Sequence, residues 1–262
     1  MRFADSALTR RQTMTALAGA ALCPLLSSRG FAGERAIAGL IERARDLPAI
    51  SARMSSISRG LLGHRYQANT LIGGPKRPEV FVVRDDRFDC VTFCETVLAA
   101  ARSRDIASFE INLKAIRYRD GVVAWRERNH DFAAWCARNV AGGVCEPIGL
   151  GPPTDLRKVL DAPRALGRRI YDIAAVSRAT LMAKQGTLRD GDIVGFVSER
   201  RTLDYYHTGL VMFGSKGEFM LRHASESRGR VLDQPMQQFL AANRVRYVTL
   251  LRPHEQEETK KS

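Results

Sequence analysis

The apolar residues of this chain change their spacing partway along it, and that change limits the layers it can fold into. Between residues 34 and 62, Ile37, Leu40, Ile41, Leu47, Ile50, Met54, Ile57 and Leu61 recur at helical spacing, and Pro48 breaks the run into two helices. A helical pattern follows Cys90 as far as Ala101, and another spans residues 129–140 with Phe132, Trp135 and Cys136. In the last third the pattern becomes short strand-like runs at 169–176, 193–197, 207–212, 219–224 and 246–251. Ser215, Lys216 and Gly217 supply turn chemistry between two of these runs, which makes them a hairpin. Residues 79–83 read as a further short strand, 118–122 as a turn between extended segments, and 63–78 and 142–153 as glycine- and proline-rich loops. Helices first and strands afterwards predict an α+β fold, its helical N-terminal part packed on an antiparallel sheet, and not alternating βαβ units.

A chain of 262 residues that is 45% hydrophobic supports one substantial core, read here as a single catalytic domain over residues 33–254. The formal charge of +13 suits contact with an anionic surface, but the arginines are scattered singly or in pairs. With no lysine-rich run and no aromatic-basic repeat, nucleic acid is not an expected partner. Residues 1–32 are similar to a twin-arginine signal: Arg10 and Arg11 precede an apolar stretch from Met14 to Leu26, then a small-residue site at Gly30-Phe31-Ala32. The chain is therefore expected to use the export machinery, to be cut after Ala32, and to reside in the periplasm. The apolar stretch is too short and too alanine-rich to span a bilayer, so no stable membrane insertion is expected after processing. Four cysteines remain beyond the leader, and Cys136 with Cys145 is the disulfide pair that proximity favours. Residues 255–262 read as a disordered tail.

Cys90 stands one residue inside a predicted helix that Asp89 caps, a position whose backbone amides favour a thiolate and lower a thiol pKa. Position alone favours the commoner reading, a small buried hydrophobe beside Phe88 and Phe93. The hairpin adds a second signal. His207 opens one of its strands and His223 lies near the end of the other, with the turn about midway, so antiparallel pairing brings the two imidazoles together. If the Cys90 helix packs on that sheet, the thiol meets His207 as base, with His223 orienting it. Cys94, one helical turn on, reads as core packing; Asp192 reads as a turn residue, and Asp204 as a lesser candidate to support His207. No histidine pair has the spacing of a zinc hydrolase, so neither a metal nor a cofactor is expected.

Four ordered blocks carry a resemblance: Phe88-Asp89-Cys90-Val91-Thr92-Phe93, Gly191-Asp192-Ile193-Val194, His207-Thr208-Gly209-Leu210-Val211, and Leu221-Arg222-His223-Ala224-Ser225. Together they resemble the NlpC-type cysteine peptidase superfamily, and within it the N-acetylmuramoyl-L-alanine amidase-like family, over residues 61–252. The resemblance implies a papain-like α+β fold with Cys90 as nucleophile, His207 as base and His223 as its orienting residue. It also implies an upstream tyrosine near the nucleophile, matched by Tyr66, and a substrate-binding position at Ser225, while Arg126 and His130, before the Trp135 helix, either line the cleft or serve a capping or ion-pair role. The implied activity is thiol-dependent hydrolysis of an amide in peptidoglycan or a muropeptide. Acyl transfer to a lipid or wall-linked acceptor, and a non-catalytic wall-binding module using the basic surface, are the alternatives.

Overall fold

The computed structural model describes residues 28–255. Most of the leader reading and nearly all of the tail reading fall outside them. In chain order the elements are α1 (Ser28–Ala44), α2 (Ile50–Gly60), β1 (Arg65–Tyr66), β2 (Ile72–Gly74), β3 (Arg77–Val80), β4 (Arg87–Phe88) and α3 (Cys90–Ala101). They continue as α4 (Ile106–Arg117), α5 (Phe132–Ala141), β5 (Cys145–Pro147), β6 (Thr154–Leu160), β7 (Arg169–Ser177) and α6 (Arg178–Ala183). The last are β8 (Ile193–Val197), β9 (Tyr205–Phe213), β10 (Phe219–Ser225), β11 (Arg230–Pro235), α7 (Met236–Ala242) and β12 (Tyr247–Pro253).

One ten-stranded sheet runs in the order β4-β1-β11-β10-β9-β8-β12-β7-β6, with β5 pairing on β12, while β2 and β3 form a separate hairpin. Among the described residues only β4 and β1 pair in parallel, so the α+β class with a mostly antiparallel sheet is as expected. Successive residues of a strand face opposite sides, and both sides of the sheet centre are covered. Ile193, Val197, Leu210, Met212 and Ala224 join the core built with α1 to α5, whereas Val194, Phe196, Val211, Leu221 and Val248 join a second core with α6 and α7.

Helix α3 is the central pillar: every residue from Thr92 to Ala101 is buried, as befits a helix apolar nearly all round. Its one carboxylate, Glu95, meets Arg117 of α4 at 2.8 Å with both side chains 3% exposed, and Arg117 also donates to the Val82 carbonyl at 2.7 Å. A glycine is required at Gly191, before β8. Its φ is +84°, and a Cβ there would sit 2.5 Å from Met54 Cβ of α2.

The turn at residues 118–122 is a single turn of 3₁₀ helix, not a junction of extended segments; its backbone pairing is one bridge between Tyr118 and Arg128. The run at 79–83 forms a strand only as far as Val80, and the loop at 142–153 contains β5.

Candidate active site

The site is assembled from the start of α3 and the middle of the sheet. Asp89 Oδ1 accepts the Thr92 N–H at 2.8 Å, and Thr92 Oγ1 accepts the Asp89 N–H at 3.0 Å, a reciprocal box that fixes Cys90 as the first helical residue. The Cys90 thiol is half-buried there. Cys94 is fully enclosed, its sulfur 3.9 Å from Thr208 Oγ1, and packs the helix on the sheet.

Strands β9 and β10 pair from Phe213 and Phe219 as far as Leu210 and Arg222, then part. Each keeps its outer neighbour: Thr208 still pairs with Gly195 of β8, and His223 with Leu232 of β11. The parting leaves the Thr208 N–H without a β10 carbonyl. It is directed at the Cys90 thiol, where the N–H groups of Val91 and of Cys90 itself also favour negative charge. At the same opening His207 Nε2 and His223 Nδ1 lie 2.7 Å apart with their rings nearly perpendicular. Phe239 of α7 covers the pair, its ring centre 5.4 Å from each imidazole. Gly209 permits the close approach: a Cβ there would fall 2.7 Å from Leu221 Cδ1 and 3.0 Å from His223 Cβ.

The structure thus joins His207 to His223 and sets Cys90 against the residue that follows His207. Among the described residues, no hydrogen bond links the thiol to either imidazole. Tyr66 belongs to the same group. Its phenol is pushed up to about 12 by burial and by the nearby Glu226, Cys90 and Asp89.

The charge states correct one expectation. Burial, and then the Asp89 carboxylate, push the Cys90 thiol up to about 12, outweighing the three N–H groups that favour the thiolate. Burial, and then His223, hold His207 down at about 3. His223 is held down at about 4 by burial, with Gln234 and Asp233 pulling the other way. The resting site is therefore a neutral thiol beside two neutral imidazoles. One imidazole must donate to the other, and if His207 Nε2–H is the donor, His207 Nδ1 is left as a free acceptor.

Two measurable consequences arise here. Asp89→Asn keeps a capping side chain and removes a charge, so Cys90 should react faster with a thiol reagent between pH 7 and 8, with its rate profile shifted to lower pH; an unchanged profile would show that the carboxylate has no influence. The second concerns stability. Two histidines whose folded pKa values lie below the free value near 6.5 leave the unfolded chain binding more protons as pH falls. Their contribution is complete above about pH 6.5 and is lost toward pH 3 to 4. The urea midpoint of the wild type should fall through that window more steeply than that of His207→Gln/His223→Gln, and parallel curves would refute the assignment.

Other residues singled out in the sequence lie elsewhere. Arg126 is exposed and donates to the Ala165 carbonyl at 3.1 Å. His130 donates to the Trp125 carbonyl at 2.6 Å with its ring on the indole, so both pin the loop before α5 and touch neither Cys90 nor the histidines. Ser225 Oγ accepts the Arg228 N–H at 3.3 Å, holding the turn after β10. Asp204 does not support His207; its carboxylate accepts the Ala133 N–H at 2.8 Å in the first turn of α5. Asp192 accepts the Arg189 N–H at 2.8 Å and pairs with Arg252, as a turn residue should. Cys136 and Cys145 are free rather than bridged: Cys136 lies against Tyr205 and Cys145 near Arg102.

The sequence reading did not find Phe239, Gly209 or the Thr208 N–H. Met236, Phe239 and Leu240 after Pro235 have helical spacing that would have revealed α7. A backbone N–H leaves no mark on side-chain pattern.

Over residues 56–246 the chain matches the family described as N-acetylmuramoyl-L-alanine amidase-like. Among solved structures it is similar to an N-acetylmuramoyl-L-alanine amidase from Bacteroides uniformis, 25% identical with a TM-score of 0.68, over 79% of this chain and 99% of that one. A Legionella pneumophila protein of the DUF1460 family superposes with a TM-score of 0.76 at 19% identity, over 87% and 97% of the two chains. A putative xylanase from Bacteroides fragilis follows with 0.60 at 23% identity, over 74% and 98%. No curated protein matches the chain.

Proposed function

The chain belongs to the N-acetylmuramoyl-L-alanine amidase-like family, and from that premise we propose that it is a thiol-dependent amide hydrolase of peptidoglycan, exported to the periplasm and built on a papain-like, NlpC-type site. The observation that carries this reading is the opening between β9 and β10, which gathers a thiol at a helix start, a strand N–H turned to that thiol and a hydrogen-bonded imidazole pair. In the proposed reaction His207 Nδ1 takes the Cys90 proton as the sulfur attacks the amide carbonyl carbon. Because thiol and imidazole begin neutral, proton transfer accompanies attack. The N–H groups at the helix start and the Tyr66 hydroxyl stabilise the developing oxyanion.

Collapse of the tetrahedral species breaks the C–N bond, and the amine leaves with the proton held on His207. Water then attacks the thioester with His207 again as base, releasing a carboxylic acid and restoring the thiol. His223 accepts from His207 Nε2–H and steadies the imidazolium, while Phe239 keeps water from their hydrogen bond. The family description and the Bacteroides uniformis relative's name support an amide next to L-alanine as the bond cut.

The test is a digest of muropeptides from a purified wall, with products identified by mass spectrometry. Expected products sum to the substrate plus one water, with a new free amine. An unaltered mixture would refute the reading, and an acyl group recovered on an acceptor other than water would replace it with acyl transfer.

A further inference from the structure

Strand pairing lines up three arginines beside this site. Arg65 of β1 is the register partner of Arg87 on β4 and of Arg230 on β11, and Arg230 is in turn the partner of Ser225 on β10. One transverse row therefore reads Arg87, Arg65, Arg230, Ser225; register partners share a face, and Ser225 lies two residues beyond His223 on the same face of β10. The next residues along β1 and β4, Tyr66 and Phe88, turn to the other face and the core of α3.

Like charges directly opposite one another on neighbouring strands destabilise a sheet. Arg87 is neutralised by Asp86 at 2.6 Å and donates to Gln67 at 2.8 Å. Arg65 and Arg230 are exposed, and among the described residues neither side chain has an ion pair or a hydrogen bond. The nearby carboxylate of Glu226 is engaged electrostatically with Tyr66. The row is thus a pair of unsatisfied guanidinium groups, rigidly spaced by the sheet and leading to His223, the imidazole hydrogen-bonded to the proposed base.

We propose that Arg65 and Arg230 form an anion subsite that binds a carboxylate of the peptide portion of the substrate. This deepens the proposed function and rests on it. With strands about 4.8 Å apart, β11 and β1 stand roughly 5 and 10 Å from β10, which carries His223. An extended peptide covers that span in about two or three residues. The recognised carboxylate accordingly lies about that far from the imidazole pair, and guanidinium forks suit it by bidentate pairing.

The test measures binding to full-length Cys90→Ala protein, which leaves the ligand uncut. The probes are muropeptides from a wall digest, and the same muropeptides after carbodiimide coupling to methylamine, which turns carboxylates into neutral amides. The free acids should bind about tenfold more tightly or better, as expected for charge-assisted hydrogen bonds. That preference should disappear in Arg65→Gln/Arg230→Gln and survive in large part in Arg65→Lys/Arg230→Lys, with thermal midpoints unchanged because both residues are exposed. Equal binding of the two probes, or a preference that persists in the glutamine variant, overturns the anion subsite and leaves the wall-hydrolase reading standing. Loss of the preference in the lysine variant as well assigns the arginines a structural role and also overturns it. Binding of neither probe overturns the wall substrate and the subsite with it.

Discussion

Cys90→Ala is expected to lower wall-fragment turnover by about four orders of magnitude or more, His207→Ala by a comparable factor, and the double variant by no more than either alone. The reason is the resting charge state. A thiol pushed up to about 12 is almost wholly protonated at neutral pH, so it is a poor nucleophile unless a base takes its proton during attack. Remove the base and the thiol is idle; remove the thiol and the base has no proton to take. Single-turnover rates followed by mass spectrometry of the products give the comparison, with circular dichroism confirming that each variant folds. Losses that multiply in the double variant would mean that the two residues act independently, and turnover by Cys90→Ala would end the thiol mechanism.

The second large effect is on stability. Arg117→Ala should cost about 3 to 5 kcal/mol, because it leaves Glu95 buried in the helical core without its counter-charge. For a chain of this size that corresponds to a fall in Tm on the order of 10 °C. The substitution also releases the Val82 carbonyl, and with it the segment that follows β3. Burial already raises the Glu95 carboxyl while Arg117 opposes the shift, so the unpaired carboxyl should be held protonated to higher pH. The deficit against wild type should then narrow as pH falls toward 5. A paired replacement, Glu95→Leu/Arg117→Met, should recover most of the loss, since apolar side chains of similar volume carry no desolvation cost. If Arg117→Ala shifts the urea midpoint no more than a surface substitution does, the pair contributes nothing.

What the sequence revealed and what it concealed follow from the physics of each feature. The hairpin was legible because a turn at Ser215 to Gly217 with flanking runs on each side determines which residues meet, and His207 and His223 do meet. The start of α3 was legible because an aspartate before an apolar helical pattern is a local cap signal, and Asp89 caps it. Helix α4 was open to the same reading: Asp105 caps it, and Phe109, Leu113 and Ile116 are its buried stripe. Strands such as β1 and β4, two residues each, carry no periodicity that could announce them. The Cys90 pKa was misjudged because a cap's benefit is local, whereas desolvation depends on everything packed around the thiol. For Arg126 and His130 the resemblance left a cleft position and a structural role open, and in the folded chain both bond to backbone carbonyls around the loop before α5.

Where β9 and β10 remain paired, hydrogen bonds dictate the separation of facing residues, and no substitution can tune it. Past Leu210 and Arg222 that dictation ends, and the spacing of the imidazoles is decided by side-chain bulk alone: nothing at Gly209, a phenyl ring at Phe239. A single added methyl at residue 209 would crowd Leu221 Cδ1, the Arg222 carbonyl and His223 Cβ together, at 2.7, 2.9 and 3.0 Å, so the last paired rung must shift along with His223 and the chemistry of this chain is tied to the fit of its scaffold at one glycine.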